Sequence, residues 1–425
     1  MEQTVQPCPQ CGAEILADRR YVAWCAACDW NVDPDPEEEE PGRLERRRRA
    51  AAARHGERLL AEIEAAAGGD GNPLKPRSDT AGVLAYAIAL AVHGVTLALI
   101  VAGVLLVVVG WGSALPVVGA FCLFPAWVLR PRFRKLPDDG VLLRRGDAPR
   151  LFALIDEIAV LVGTTGVDAI AITPEVNAGV SAYGMKQRRL LTIGLGLWEI
   201  LSPQERVALL GHELGHYANG DTRHGVVISN ALRSLVTWRY VLHPVPRPEP
   251  VEYILNLLYV LPFCTVHGVM LLLDRLTLRA TQRGEYLADT FAARAGSTEA
   301  ATGLMDRLLV GESASVLLQR EFNSGQIKRS SSPTRRDPWV GLWDRLATEV
   351  HSVPQSEYER QRRVSILRGH SVDSTHPPTH LRRTALLAGT PVDAGIVVDA
   401  AQQDAIDGEL TEAREQVAKQ VFRGW

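Results

Sequence analysis

The chain has 425 residues, of which 46 are Lys or Arg and 49 are Asp or Glu, so its formal net charge is −3. This near-neutral balance argues against a nucleic-acid partner, which would favour an excess of basic residues. The length leaves room for a small module, a membrane region and one catalytic domain.

Two Cys-x-x-Cys pairs lie in residues 1–32, and their members are Cys8, Cys11, Cys25 and Cys28. This spacing is typical of a zinc ribbon, in which four thiolates bind one structural zinc ion and hold a small module together. Redox-active disulfides are the alternative, but no thioredoxin-like pattern surrounds the pairs. Only Arg19 and Arg20 are basic in this segment, so we expect an unknown protein partner and no nucleic acid.

Residues 33–78 form a predicted charged linker. Asp33–Pro41 is acidic and rich in proline, and Arg43 to Ala67 has the pattern of a charged helix. The apolar side of that helix consists of Leu59, Leu60 and Ile63. Such a helix either lies against anionic lipid headgroups or forms a solvated linker.

Residues 79–135 form a predicted transmembrane hairpin. Ala81–Val109 exceeds the roughly twenty apolar residues that a spanning helix needs, and Pro116–Leu129 is a shorter second span. The first span holds one ionisable residue, His93, for which the sequence allows a hydrogen bond within the helix pair or a functional polar site. About eighty residues precede this span, so we expect no cleaved signal peptide.

Basic residues flank the hairpin at both ends, while the connection between its spans is uncharged. The nearest are Lys75, Arg77, Arg130, Arg132, Arg134 and Lys135. By the positive-inside rule, both ends of the hairpin face the cytoplasm. We therefore expect a multi-pass protein of the cell membrane with a cytoplasmic N-terminus and a cytoplasmic catalytic domain.

Residues 146–390 form the predicted catalytic domain, which begins with a helix over Leu151–Leu161. Three short strands follow, at Ala169–Thr173, Ala178–Tyr183 and Leu190–Ile193. Helices dominate afterwards, and residues 391–425 are expected to form a C-terminal tail helix. The predicted fold class is α+β and mainly helical, with a small antiparallel sheet.

The most informative motif is His212-Glu213-Leu214-Gly215-His216. Ser202 and Glu205, with Pro203 between them, form a capping box that predicts a helix start. Two histidines four residues apart on that helix project from one face, so both imidazoles can bind one zinc ion. Glu213 is placed to act as general base toward a water that the zinc activates. Two ordinary helix histidines beside a chance glutamate are the alternative.

Two more apolar stretches lie within residues 225–275. Tyr253–Leu273 is long enough to span a membrane, whereas Gly225–Leu242 carries a polar stripe. The residues before and after this region must share one metal site, so either both stretches cross the membrane or neither does. The sequence leaves open four spans, or two spans with a surface-docked helical pair.

A catalytic zinc takes three protein ligands and keeps a fourth position for water. Glu285 and Asp289 lie four residues apart and would share one helix face. Glu285 is the candidate third ligand, while Asp289 would accept a hydrogen bond from a ligand histidine and fix its tautomer. From spacing alone, an exposed acidic face is an equal alternative.

The motifs together resemble those of the membrane gluzincins, which include HtpX and the zinc-dependent CAAX prenyl protease. The segments that carry the resemblance are Val176–Gly179, Gly211–His216, Glu285–Asp289 and Thr375–Pro378 followed by Arg382. It covers about Gly146 to Leu387, in the family's order. The run Thr281–Gly284 departs from the family pattern, which puts substrate preference in doubt but not metal binding.

The resemblance implies that Asn177 and Ala178 belong to a strand bordering the active-site cleft, where a substrate would pair through its backbone. It also brings the C-terminal segment near the site. His376 or Arg382 could then stabilise the oxyanion of the tetrahedral intermediate. A rigid helix-entry turn at His376 and a structural ion pair at Arg382 are the alternatives.

The complete motif set favours a membrane-bound zinc endopeptidase acting on membrane or misfolded proteins, with one catalytic and one structural zinc ion. Its expected partners are protein or peptide substrates and the lipid bilayer. A prenyl-protein CAAX-type peptidase is one alternative. A catalytically idle membrane scaffold that recruits partners through its ribbon is the other, and Glu213 argues against it because a scaffold needs no base beside the metal.

Overall fold

The computed structural model describes residues 3–34, 43–66, 80–130, 135–136, 140–218, 222–246, 249–331, 337, 339–368 and 377–423. The chain divides into two compact units. Unit 1 consists of Met1–Leu74, Lys135–Ala218 and Gln282–Trp425. Unit 2 consists of Lys75–Arg134 and Asn219–Thr281, and so combines the two regions in which the sequence predicts membrane spans.

The described residues form six strands, which are β1 Gln3–Pro7, β2 Glu14–Asp18, β3 Val141–Leu143, β4 Ala169–Thr173, β5 Ala178–Tyr183 and β6 Arg188–Gly194. They also form fourteen helices. The first seven are α1 Arg43–Ala66, α2 Thr80–Val109, α3 Leu115–Val128, α4 Pro149–Val162, α5 Leu195–Trp198, α6 Pro203–Ala218 and α7 Thr222–Val241. The others are α8 Pro250–Gly296, α9 Thr298–Leu309, α10 Gly311–Ser331, α11 Leu342–His351, α12 Gln355–Arg368, α13 Thr379–Ala388 and α14 Ala400–Arg423.

Unit 1 has two sheets, the antiparallel pair β1-β2 and a four-stranded sheet with the strand order β3-β4-β6-β5. The predicted bounds of β4 and β5 are confirmed, and β6 begins two residues earlier than predicted. The expectation of an antiparallel sheet is wrong for one pair, because β4 and β6 run parallel. The reason is that β5 and β6 form a hairpin whose second strand lies beside β4, an order that residue alternation along each strand cannot reveal.

The main core lies between this sheet and the helices that cover it. Ile170 and Ile172 of β4 pack in one buried cluster with Phe152 and Ile155 of α4 and with Leu214 of α6. The C-terminal helix α14 completes the layer. Its Glu409 carboxylate accepts hydrogen bonds from the first backbone N–H groups of α4, at 2.8 Å from the nitrogen of Arg150, and so caps that helix.

Within unit 1, helix α1 packs through its apolar side against helices α8 and α13. Leu59 lies in a buried cluster with Tyr286 of α8 and Leu381 of α13. Gly56 permits this approach, because a Cβ there would lie 2.9 Å from a methyl group of Leu381. The apolar side of α1, which was predicted to be solvated or to face lipid, instead covers α8 and α13. Both of these helices carry residues of the candidate site.

Unit 2 contains α2, α3, α7 and the N-terminal part of α8. Gly103 of α2 and Gly119 of α3 lie where the two helices meet, and a Cβ on Gly119 would lie 2.7 Å from the Gly103 carbonyl oxygen. The imidazole Nε2 of His93 lies 3.2 Å from the Val227 carbonyl oxygen on α7. The hydrogen-bond partner of His93 therefore lies in a third helix, α7. From the sequence, we expected a partner within the hairpin.

Among the described residues, two helices are long and apolar enough to cross a membrane, α2 and the segment from Glu252 to Gly296, and α3 is a shorter apolar helix. Only 17% and 6% of their most apolar windows are buried inside the protein. Large side chains such as Val108, Phe121 and Leu257 are more than two-thirds exposed. Exposed apolar side chains in such numbers are typical of contact with lipid or with another protein.

Candidate metal centre

Helix α6 begins where the capping box predicts. The Ser202 backbone N–H donates to the Glu205 carboxylate over 2.7 Å, and the Glu205 backbone N–H donates to the Ser202 hydroxyl over 3.3 Å. This reciprocal pair fixes the first turn of the helix. His212 and His216 follow in the same helix, and their rings lie 4.8 Å apart at an interplanar angle of 89°.

Two glycines bring α8 close to α6. A Cβ on Gly211 would lie 2.7 Å from the Ala295 Cβ and 3.0 Å from the Phe291 carbonyl oxygen, and a Cβ on Gly215 would lie 3.2 Å from the Ala288 Cα. These contacts are closer than side chains normally allow, so the two backbones touch where the glycines lie. The close packing carries Glu285, one to three turns earlier on α8, into reach of the histidines.

The three candidate ligands lie close together in space. The Nε2 atoms of His212 and His216 are 3.2 Å apart, and Glu285 Oε2 and Oε1 lie 3.6 Å and 3.7 Å from them respectively. Zinc bonds of about 2.0–2.2 Å place tetrahedral ligand atoms about 3.3–3.6 Å apart. The donor set and its spacing therefore fit one zinc ion. His212 and Glu285 are buried, whereas the His216 side chain is 27% exposed.

Asp289 lies behind His212, on the side away from the other two donors. Its Oδ1 is 3.0 Å from His212 Nδ1. A carboxylate at this distance holds the ring proton on Nδ1 and directs the Nε2 lone pair toward His216 and Glu285. Sequence spacing left an exposed acidic face as an equal alternative, but Asp289 is only 2% exposed.

Arg382 of α13 is paired with Asp289. Its Nε and Nη2 donate to the two carboxylate oxygens over 2.9 Å and 2.6 Å. Burial favours the neutral acid, but the Arg382 charge and these hydrogen bonds together hold the pKa of Asp289 well below its ordinary value. The same ion pair raises the pKa of Arg382, against the effect of burial. Both groups are therefore charged at neutral pH.

The remaining predicted catalytic residues have different surroundings. Glu213 is buried beside His212. His376 lies outside the described residues. The Arg382 guanidinium is bound to Asp289, and its Nη2 also lies 3.8 Å from Glu285 Oε2, next to the candidate ligands.

Tyr217 is a residue that the sequence reasoning missed. Its hydroxyl donates to the Ser181 carbonyl oxygen of β5 over 2.8 Å, so it ties the helix of the histidines to the edge strand. Burial raises the pKa of Tyr217, which keeps the hydroxyl protonated as a donor. The only sequence signal for Tyr217 is its position directly after the second histidine. That position does not identify Ser181, 36 residues earlier, as its partner.

Asn177 and Ala178 lie at the start of β5. The Asn177 side-chain oxygen accepts a hydrogen bond from the Ala178 backbone N–H over 2.9 Å, and its backbone oxygen accepts from Gly194 over the same distance. β5 pairs with β6 on one side and is the last strand in the sheet order. Its other edge is the one to which an extended peptide could add.

The four ribbon cysteines form a second cluster. Cys8 and Cys28 Sγ atoms are 3.7 Å apart, Cys11 and Cys25 Sγ atoms are 3.6 Å apart, and all four atoms lie within 4.8 Å of one another. Zinc–sulfur bonds of about 2.3 Å give tetrahedral sulfur separations of about 3.8 Å. The four thiols therefore fit one structural zinc ion.

The two knuckles of the ribbon have the same backbone geometry. Gly12 and Asp29, which follow the second cysteine of each pair, have φ angles of 75° and 57°. This left-handed conformation lets the chain reverse, so that the first cysteine of each pair donates its backbone N–H to the residue two positions after the second cysteine. Asp29 adopts it in the second knuckle, where many residues would be strained.

Two histidines of one helix, a glutamate from a distant helix and an intervening glutamate beside the first histidine define a gluzincin-type metal site. The chain belongs to Peptidase family M48, which matches residues 149–389. The match covers strands β4 to β6, both helices that carry the candidate ligands and Arg382.

Curated relatives carry the name Protease HtpX. The protein of Pseudomonas fluorescens is 29% identical over 146 residues, which cover 33% of this chain and 49% of that protein. An HtpX homolog of Tropheryma whipplei is 24% identical over 246 residues, 56% of this chain and 72% of the relative. The chain thus spans about half the length of the Pseudomonas relatives that it matches. No solved structure matches it.

Proposed function

We propose that this chain is a membrane-bound zinc endopeptidase. The observation that carries the proposal is the convergence of His212, His216 and Glu285 from two helices at separations that suit tetrahedral zinc. Membership of Peptidase family M48 and similarity to proteins named Protease HtpX support peptide-bond hydrolysis as the reaction.

The residues of the site have separate roles in this proposal. Zinc, when bound, would polarise the scissile carbonyl and lower the pKa of water toward neutrality. Glu213 accepts the proton of the attacking water and delivers it to the departing amine. Asp289 orients His212, and Arg382 holds Asp289 charged. His376 or Arg382 is the proposed donor to the oxyanion.

The proposed substrates are membrane or misfolded proteins, bound as extended segments. The edge strand β5 offers backbone groups beside α6, and backbone pairing gives affinity without demanding a particular sequence. Asn177 would set the start of that strand and Tyr217 its distance from the histidines. A peptide held in this way would lie along the open edge of the sheet.

The membrane part of the proposal has four spans. α2, α3, α7 and the N-terminal part of α8 belong to one unit, and Ala231 and Leu235 of α7 lie in the same buried cluster as Ala89 of α2. This packing supports α7 as a fourth span, although its polar residues weaken its hydropathy. The basic flanks of the hairpin support a cytoplasmic peptidase unit and N-terminus.

The experiment that tests the proposal is proteolysis of an unfolded protein and of a membrane protein by the purified full-length chain in detergent. We expect zinc-dependent cleavage that is abolished in Glu213→Gln, with zinc still bound. The matched control is Glu299→Gln, which changes an exposed glutamate at the start of α9 and should leave cleavage intact. Equal cleavage by wild type and Glu213→Gln would contradict the mechanism.

The same preparation tests the two alternatives and the number of metal ions. We expect two zinc ions per chain, falling to one when Glu285 is replaced by alanine and to one when Cys25 and Cys28 are replaced by serine. Zinc binding without turnover on any substrate would favour the scaffold. Cleavage confined to prenylated C-terminal peptides would favour the CAAX-type peptidase, which the comparisons do not support.

A further inference from the structure

The zinc ribbon is bound to helix α12 of the peptidase unit by a row of arginines. Arg363 donates to the Ala26 carbonyl oxygen over 2.8 Å and to the Asp29 carboxylate over 2.5 Å. Its guanidinium also lies over the ring of Trp24, 5.0 Å from the ring centre. One side chain of α12 thus contacts three residues in or next to the second knuckle.

Two further arginines of α12 extend the contact toward the end of the ribbon. Arg360 donates to the Val32 carbonyl oxygen over 2.9 Å, and Arg368 forms an ion pair with Asp33. Arg20 makes a separate contact with the end of α11, where it donates to the Ser352 hydroxyl over 2.8 Å.

The centre of the interface is apolar. Trp24 and Val32 of the ribbon form a buried cluster with Val364 of α12, and each of the three is less than 9% exposed. Burial at the centre matters, because an exposed ion pair such as Arg363 with Asp29 contributes little by itself. An apolar centre with a charged and hydrogen-bonding rim is the usual construction of a specific protein interface.

The groups that the arginines bind are positioned by the metal site. Ala26 lies between Cys25 and Cys28, and Asp29 owes its left-handed backbone to the turn that closes the second knuckle. The ribbon has two five-residue strands and a core that consists largely of its own cysteines. A module of this size folds when metal binds and unfolds when it is removed. We therefore expect the surface that α12 contacts to depend on metal binding by the ribbon.

We propose that α12 is the docking partner of the ribbon, and that docking and ribbon metal binding are thermodynamically linked. Since α12 binds the folded ribbon, docking raises the ribbon's affinity for its metal, and metal binding strengthens docking to the same extent. The ribbon face around Trp24 is then occupied by the chain's own helix and is not presented to another protein. This inference rests on the proposed ribbon metal site and not on peptidase activity.

The test is a titration of the full-length, metal-depleted chain with Co²⁺. Thiolate-to-cobalt charge-transfer absorption reports the ribbon alone, because the other candidate site offers only nitrogen and oxygen ligands. We expect Arg363→Ala and Val364→Ala to weaken cobalt binding by the ribbon, about tenfold for the arginine change. Both substitutions lie outside the ribbon and leave its ligands unchanged.

The matched control is Arg362→Ala, the neighbouring arginine of α12, which pairs with Asp306 of α9 and not with the ribbon. It should leave the cobalt affinity of the ribbon at the wild-type value. Equal affinity in wild type and both interface variants would overturn the docking proposal while leaving the metal site intact, as would equal weakening by Arg362→Ala. No thiolate absorption in the wild type would overturn both proposals.

The ribbon side offers a second, independent measurement. Asp29→Asn removes the charge at Asp29 and keeps a residue that tolerates the left-handed backbone. In a double-mutant cycle with Arg363→Ala, we expect the two substitutions to weaken cobalt binding less than additively, because they remove the same contact. Strict additivity would contradict the assigned pairing.

Discussion

Gly211→Ala is the sharpest test of how the two ligand-bearing helices are held together. The new Cβ would lie 2.7 Å from the Ala295 Cβ and 3.0 Å from the Phe291 carbonyl oxygen. Carbon atoms prefer about 3.5–4.0 Å, so α8 must move away by roughly 0.5–1 Å at this point. Glu285 is on the displaced helix, and its oxygens already lie 3.6–3.7 Å from the histidine nitrogens.

The displacement should affect stability and metal binding in different ways. Alanine improves helix propensity by about 0.5–1 kcal/mol, but overpacking of a tight core contact costs about 1–3 kcal/mol, so the net effect is a loss of stability. Metal sites tolerate ligand errors of only about 0.2 Å. We therefore expect zinc affinity to fall by about 10–100-fold, the size of effect seen when a ligand's support is disturbed.

Zinc affinity is measured by competition with a chelator, and stability by urea unfolding of the same sample. Gly408→Ala is the matched control, because Gly408 lies in α14 with no atom within 4 Å of the new Cβ. It should stabilise the chain by about 0.5–1 kcal/mol and leave zinc affinity unchanged. Zinc affinity of Gly211→Ala within threefold of the wild type would refute the argument that close helix packing sets the site.

Three further predictions concern neighbouring groups. Asp289→Asn should lower zinc affinity by about 10–100-fold and destabilise the fold by about 3–5 kcal/mol, because Arg382 becomes a buried charge with a weakened partner. Chelator competition measures the affinity and urea unfolding measures the stability. Unchanged affinity and stability would contradict the ion-pair assignment. Tyr217→Phe removes the hydrogen bond to Ser181, worth about 1 kcal/mol. The KM for an extended peptide should therefore rise by about fivefold with little change in kcat. An unchanged KM would show that Tyr217 does not contribute to substrate binding. Burial lowers the pKa of His380, so the unfolded chain takes up a proton first as pH falls below 6.5. The free energy of unfolding should therefore decrease from pH 6.5 downward until the folded-state pKa is passed. If the difference in unfolding free energy between wild type and His380→Asn did not depend on pH over about pH 5–7, this prediction would be wrong.

The local features of the site were readable because they depend on neighbouring residues. The capping box of Ser202 and Glu205 fixes the start of α6, and the four-residue spacing of His212 and His216 puts them on one face whatever the rest of the fold does. The bounds of β4 and β5 followed from short runs of strand-forming residues between turn residues.

Features that depend on distant segments were read less well. Strand patterns showed that β4, β5 and β6 exist but not that β6 lies between the other two, so the parallel pair was missed. The apolar side of α1 was visible, but its partner, the Tyr286 and Leu381 surface, was not. The partner of Arg382 could not be read from the sequence either, because Asp289 lies 93 residues away.

The sequence by itself determined the chemistry available to this chain: two imidazoles and a glutamate on one helix, four thiols in two knuckles, and apolar helices long enough for a membrane. These follow from residue types and from the fixed geometry of short segments, which do not change with context. Only the tertiary structure decided which groups meet. Gly211 lets α8 bring Glu285 to the histidines, Asp289 takes Arg382 as its partner 93 residues away, and α12 takes the ribbon. Such pairings depend on packing between segments that are distant in the chain. Residue spacing alone therefore cannot predict them.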